Sequence, residues 1–343
     1  MNNNMKKIAA GLVVVFVGAA GIYLYKNRDT KTVTPPARDE VLEEDLKVLG
    51  GAVGSSQYQI YAALVRLAQT GNKVAYEESL KRYKSNDPWI RAGAGMALSY
   101  FPSEESDRII QELANDPDPI VREKTFEGFS LNARTPERQK LVESLISDKK
   151  RPAGEIIQLK IGILKQGGEP KVREQLLLEI FALTKELPVE KKIQVVQNLV
   201  AAESRNETLG NYLKSLLMTE KGSTDLTAVL VNSLSVAQPD KIRNELPTYI
   251  RSEHENIRVA AVNGFLYSCP PGVVTLLGDL VKNDKSELVV RSSLQVLSGF
   301  PGEESRKIFQ SLQGKKLSPN VEQTYVQAYK AFELNKGSNP CSK

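Results

Sequence analysis

Histidine is almost absent from this 343-residue chain, where His254 stands alone. That excludes every mechanism built on a histidine pair and every metal site of several imidazoles. Cysteine is nearly as scarce. Cys269 and Cys341 lie far apart with no Cys-x-x-Cys spacing, so neither a zinc site nor a disulfide framework is implied. Cys269 precedes Pro270-Pro271 and reads as a small helix-end residue, and two cysteines fit an oxidising or a reducing compartment equally. Aromatic residues make up 6%, with Trp89 the one tryptophan. Gly-Gly at 50–51 and 167–168 lacks the Gly-Lys-Ser/Thr ending of a phosphate loop and reads as a helix stop. Charge of one sign is not concentrated either. Lys plus Arg number 46 against 41 Asp plus Glu, a net +5 that gives no nucleic-acid signature.

Acidic pairs such as Glu43-Glu44, Glu77-Glu78, Glu104-Glu105 and Glu303-Glu304 do not read as acid/base dyads. Adjacent helical residues diverge by about 100°, and carboxylates suit the first turn of a helix. The expectation is therefore a protein without catalytic residues, cofactor or metal, and not an enzyme. No nucleic acid and no small-molecule substrate is expected.

What the sequence does have begins with a long apolar run. Residues 8–25 contain no charge, and as a helix they would rise about 27 Å, close to a bilayer core. Lys6 and Lys7 precede the run, while Tyr23, Tyr25, Lys26 and Arg28 flank its other end. It reads as a transmembrane signal anchor after a basic lead of residues 1–7. The alternative is a cleaved export signal ending near Ala20, at Gly18-Ala19-Ala20, which would leave a secreted protein. The flanking charges are nearly balanced. A short basic lead running straight into the apolar stretch favours a cytoplasmic N-terminus, which puts the rest outside the cytoplasm, in the periplasm if the source is Gram-negative. Residues 26–37, with Pro35-Pro36, read as a linker.

From Arg38 to Asn335 apolar residues recur at helical period between short Pro-, Gly-, Asn- and Asp-rich breaks, and period-two runs are scarce. This predicts an all-α repeat domain over 38–335, followed by a disordered tail at 336–343. Segments 86–101, 118–131 and 254–268 are versions of each other. Aligned on Arg91, Arg122 and Arg258, each has an apolar residue just before the arginine, a small residue six later and a large one at seven: Ala97-Leu98, Gly128-Phe129 and Gly264-Phe265. The segment around Arg291 matches with the small–large order reversed. Carrying the spacing onto weaker segments gives starts at 57, 91, 122, 156, 192, 227, 258, 291 and 322, a mean period near 33. A second amphipathic stretch separates the marked ones, as at 104–114, 137–147 and 303–312. Each unit is thus a helix pair that must stack on its neighbours, giving a curved rod. Asp87-Pro88 and Asp118-Pro119 fit the cap and first turn of the second helix.

The stretch Leu113 to Arg122, with Leu, then Asp-Pro, then Val-Arg, resembles the HEAT-repeat family over roughly residues 55–335. The resemblance implies a right-handed α-solenoid of about eight to nine HEAT-like helix pairs, preceded here by one transmembrane helix. It also implies that Arg91, Arg122, Arg258 and Arg291, with Asp87 and Asp118, form a structural ladder between repeats, with His254 and Glu287 standing where the Asp would be. The function expected is a membrane-anchored scaffold or adaptor, fixed through residues 8–25 and binding other proteins on the concave solenoid surface. Trp89 is either a packing residue or a partner contact. A structural subunit of a cell-envelope or secretion complex is an alternative, and a HEAT-like lyase or DNA glycosylase a further one.

Overall fold

In the computed structural model, residues 38–51, 54–220, 222–335 and 340–342 are described. The expected membrane span at 8–25 and the linker lie outside these residues. Among the described residues no helix is long and apolar enough to cross a membrane, and there is no strand. The described chain is all-helical and divides into two compact units that meet at Leu187–Pro188.

The first unit contains α1 (Arg38–Leu49), α2 (Gln57–Gln69), α3 (Lys73–Arg82), α4 (Pro88–Leu98), α5 (Glu104–Leu113), α6 (Pro119–Asn132), α7 (Pro136–Ser147), α8 (Ala153–Gln166) and α9 (Pro170–Thr184). Helices α1 and α2, α3 and α4, α5 and α6, and α7 and α8 pair with each other. The second helices, α2, α4, α6 and α8, then pack side by side in sequence. The second unit contains α10 (Val189–Ala202), α11 (Glu207–Thr219), α12 (Thr224–Ala237), the short α13 (Leu246–Tyr249), α14 (Glu255–Ser268), α15 (Val273–Asn283), α16 (Glu287–Leu297), α17 (Glu303–Gln310) and α18 (Pro319–Leu334). Its second helices, α10, α12, α14, α16 and α18, form a row of the same kind.

Capping residues set the register of these rows. The second helices begin after Ser56, Asp87, Asp118, Pro152, Pro188, Ser223, His254, Ser286 and Ser318. These caps lie 31–36 residues apart. Ser56 forms a full capping box with Gln59, and Asp87 and Asp118 accept from backbone N–H groups of the first turn. The residue eleven places after the cap is large and fully buried in seven of the nine, including Leu98, Phe129, Phe265 and Leu297. Burying each such side chain contributes about 1.5–3 kcal/mol. This register moves two of the expected starts. Counted from Ser286, the residue matching Arg91 is Val290, so Arg291 sits one place late, and Val296-Leu297 stands where the other units have the small–large pair. Counted from Ser56, the first start falls at 60 rather than 57, because the capping box and not the apolar spacing marks the helix beginning.

Small residues let the second helices approach. A side chain on Gly162 would overlap Ser130 of the preceding second helix, and one on Gly128 would lie 3.0 Å from the Met96 Cα. This backbone proximity is why the position before the large apolar residue is small at Ala97, Gly128, Gly162, Ser233, Gly264 and Ala328, whereas Arg66, Asn198 and Val296 occupy it in the other three second helices.

The C-terminal end departs from expectation. Residues 340–342 form a 3-10 turn rather than a disordered tail, and Cys341 in that turn is disulfide-bonded to Cys269, with Cα atoms 5.5 Å apart. Cys269 does end α14, in a left-handed conformation at φ 43°. The remainder of the tail call, 336–339 and 343, lies outside the described residues.

Candidate functional site: the second-helix faces

The four arginines singled out in the sequence sit at or near the fourth position of their helices; Arg91, Arg122 and Arg258 join repeats through acids other than Asp87 and Asp118, and Arg291 through a hydroxyl. The Arg91 guanidinium donates to Asp116 in two hydrogen bonds of 2.8 and 2.9 Å, and Arg258 donates to Asp284 at 2.9 and 3.0 Å. Each also folds back onto loop carbonyls before its own helix: Arg91 onto Ser85 and Asn86, Arg258 onto Ser252 and Glu253. Arg122 donates to Glu155 at 2.8 Å and to the Asp116 and Pro117 carbonyls. Arg291, one place out of register, donates instead to the Thr324 hydroxyl at 3.0 Å. Asp87 and Asp118 are helix caps, not ladder partners. The ladder acids sit two residues before the next cap, at Asp116 and Asp284, where they also accept from the cap's backbone N–H. Lys192 takes the same place in α10 and pairs with Glu220 at 2.6 Å, so one central repeat keeps a basic residue in the ladder without an arginine.

Burial raises the Asp116 carboxyl, but the hydrogen bonds from Arg91 and from the Asp118 backbone, with the charges of Arg91 and Arg122, outweigh it and hold the group below the usual carboxylate range. A depressed folded-state value means stabilisation that is present above the ordinary Asp pKa of about 3.9 and lost as pH falls through the folded value. Asp116→Asn is therefore expected to cost about 1–2 kcal/mol at pH 7. The deficit relative to wild type should close on acidification below about pH 4. Urea denaturation at pH 7 and pH 3, followed by Trp89 fluorescence, checks this. An equal deficit at both pH values would contradict it.

With the ladder committed to structure, what remains open on the first unit is the outer face of α2, α4 and α6. Tyr58 and Trp89 both stand two residues past their caps, and Tyr61 lies one turn beyond Tyr58. Trp89 meets both tyrosines edge to face, with ring centroids 5.8 Å from Tyr58 and 5.6 Å from Tyr61, and the two tyrosines stack at 5.9 Å. Tyr58 is 62% exposed and Trp89 36% exposed. Trp89 is thus a surface residue held in a fixed orientation by its neighbours. The Tyr61 hydroxyl donates to the Met96 sulfur at 3.2 Å, and its pKa is pushed up to about 12, chiefly by burial. Beside this patch on α6, Lys124 pairs with Glu127 at 2.6 Å. Burial alone would lower the lysine, and Glu127 more than compensates. The charges here neutralise each other, so the exposed surface is aromatic rather than cationic.

No constellation of the chemical kind accompanies it. His254 caps α14 by position but makes no side-chain cap bond, and it lies exposed with Nε2 3.4 Å from Glu253. Among the described residues no group of three or more His, Cys, Asp or Glu could hold a metal ion. Glu104-Glu105 and Glu303-Glu304 occupy first turns, as expected, whereas Glu43-Glu44 and Glu77-Glu78 lie within α1 and α3. Clefts between α15 and α17 and between α1 and α2 measure about 210 and 290 Å³. Both fall below the usual range for small-ligand sites, about 300–1,000 Å³.

No protein-family model matches the sequence, and no curated protein matches it. Among solved structures, human deoxyhypusine hydroxylase in complex with glycerol is similar at 13% identity and a TM-score of 0.35, covering 88% of this chain and all of that one. An engineered protein is similar at 13% identity and a TM-score of 0.36, covering 85% of this chain and 88% of that one.

Proposed function

We propose that this chain is a membrane-anchored, HEAT-type helical-repeat scaffold that binds other proteins on the exposed faces of its second helices, and that it is not an enzyme. The observation that carries this reading is the aromatic patch of Tyr58, Tyr61 and Trp89. Large, pre-oriented, partly exposed aromatic rings are what dominate binding energy at protein interfaces, because they bury area at little entropic cost. The charge-neutral pair Lys124–Glu127 beside it suits a protein partner better than nucleic acid.

The disulfide between Cys269 and Cys341 supports an oxidising compartment, since such bonds are rare where glutathione keeps thiols reduced. With the apolar run at 8–25 read as an anchor, the repeats would sit outside the cytoplasm, in the periplasm of a Gram-negative cell. A stable subunit of a cell-envelope complex is the second reading, and the same disulfide favours it.

The double variant Tyr58→Ala/Trp89→Ala tests the proposal. After cross-linking in native membranes, recovery of the full chain's principal partner is expected to fall at least about tenfold. The thermal midpoint should move little, because both side chains are surface residues. Unchanged recovery would count against the patch as the binding site.

A further inference from the structure

The Cys269–Cys341 bond lies at the surface of the second unit. Cys341 is exposed, and Cys269 is half-buried at the end of α14. Cys269 holds a left-handed backbone at φ 43°, where glycine is the ordinary residue, so this corner carries strain. The turn that brings Cys341 there covers little. It touches α14, and a side chain on Gly299 would meet Pro340 of the turn on one side and Leu266 on the other. The last helix is anchored without the disulfide. Helix α18 packs on α16, Phe332 meets Phe309 of α17 at 5.3 Å, and the Asn335 carboxamide donates to the Ser298 and Gly299 carbonyls at 3.4 and 3.3 Å. Cys341 follows Asn335 by six residues, so its sulfur stays within about 20 Å of that anchor whether or not the bond is made.

We propose that this disulfide is a reversible thiol–disulfide exchange site for a dithiol, with Cys341 the sulfur that is attacked and Cys269 the sulfur that leaves. The exposed residue offers an incoming thiolate its approach, whereas the half-buried Cys269 is shielded by the end of its own helix. In the first step one sulfur of the dithiol, as thiolate, bonds to the Cys341 Sγ. The Cys269–Cys341 bond breaks, and Cys269 leaves as a thiolate that takes up a proton. In the second step the other sulfur of the dithiol displaces Cys341 from the mixed disulfide, and Cys341 is protonated in turn. The dithiol ends as a disulfide, and the protein has gained two electrons and two protons. The carbonyl pole of a helix C-terminus disfavours a thiolate at Cys269. Arg243 offsets this, because its Nε donates to the Ser268 carbonyl at 2.6 Å, directly before Cys269. Reduction frees the turn and bares Gly299 and Leu266, while α18 stays held by its own contacts. The tethered Cys341 remains at high effective concentration near Cys269, which favours closure when a disulfide oxidant is supplied.

The test treats the folded full chain with thiols in the absence of denaturant. Dithiothreitol is expected to reduce the bond completely, and oxidised glutathione, added after its removal, to restore it. Brief exposure to reduced glutathione followed by alkylation should place the glutathionyl group on Cys341 and the alkyl group on Cys269 in peptide maps. Full reduction should speed amide hydrogen exchange at least about tenfold over residues 266–272 and leave α15, α16, α17 and α18 protected. Arg243→Gln should slow reduction by dithiothreitol about threefold or more. The proposal is overturned if the bond yields only in denaturant, if it does not re-form, or if glutathione is found on Cys269. Loss of protection across all four helices would overturn it as well, since the bond would then be a staple of the whole unit. Equal rates of reduction in wild type and R243Q would overturn the assignment of Cys269 as the leaving sulfur.

Discussion

Replacing Cys269 and Cys341 by serine is expected to destabilise the second unit by about 4 kcal/mol, the entropy released when a 72-residue loop is opened in the unfolded chain. The bond closes a loop that contains α15, α16, α17 and α18, roughly half of that unit. It also holds the 340–342 turn against α14, and Pro340 approaches Gly299 just past the end of α16. Far-UV circular dichroism during urea unfolding should show the loss, and treatment of the wild-type chain with a reductant should reproduce it. Because the single tryptophan lies in the first unit, Trp89 fluorescence reports that unit's unfolding separately from the helical signal. A helical unfolding curve identical in oxidised wild type and C269S/C341S would mean that the clasp contributes nothing to stability.

The second large effect is expected at Arg138, the bulkiest fully buried side chain, 1% exposed near the start of α7. Its guanidinium donates to the Asp107 carboxylate at 2.7 Å and to the Ser99 carbonyl at 2.6 Å, and it lies over the Phe129 ring at 5.4 Å. One side chain thus ties α5, the end of α4 and the core of α6 together. Arg138→Met keeps the apolar stem but strands a carboxylate and a buried carbonyl. The cost of breaking a buried pair from one side is about 3–5 kcal/mol, and partial exposure of Asp107 puts this case near 3. The Trp89-monitored urea midpoint should drop accordingly. The double variant Asp107→Asn/Arg138→Met should recover part of the loss, because no unpaired charge remains. A change under about 0.5 kcal/mol in R138M would contradict the assignment, that being the range of ordinary surface substitutions.

The second helices were the legible part of this fold, and the reason is physical. Close packing demands a small residue beside a large one, at Ala97-Leu98, Gly128-Phe129 and Gly264-Phe265, and that demand writes a repeating pattern. Arg91, Arg122 and Arg258 were legible as well, since each sits one turn into its helix and reaches back to the loop before it. Their partners were not. Asp116 lies 25 residues after Arg91 and Asp284 26 after Arg258, so each acid sits in the next repeat beyond a whole first helix, while the caps Asp87 and Asp118 stand four residues before their own arginines and draw the eye. Arg138 left no trace because the first helices carry no shared motif. The disulfide joins residues 72 apart in sequence, and nothing local to either cysteine announces the pairing.

The aromatic patch was half legible. Trp89 stood out as the lone tryptophan, but its exposure depends on Tyr58 and Tyr61 reaching it from the preceding second helix, and no spacing rule predicts that. The ring cluster turns a possible packing residue into a fixed surface anchor, and the proposed function depends on it.

The most direct measurement places a photo-reactive phenylalanine analogue at single positions of the full chain in intact cells. Tyr58 and Trp89 sample the second-helix face, and Glu112 and Lys140 sample exposed positions on the first helices α5 and α7. Irradiation is expected to give a discrete adduct with one polypeptide from positions 58 and 89, and none from 112 or 140. Absence of any adduct at 58 and 89, or the same adducts from all four positions, would contradict a scaffold that binds through its second helices.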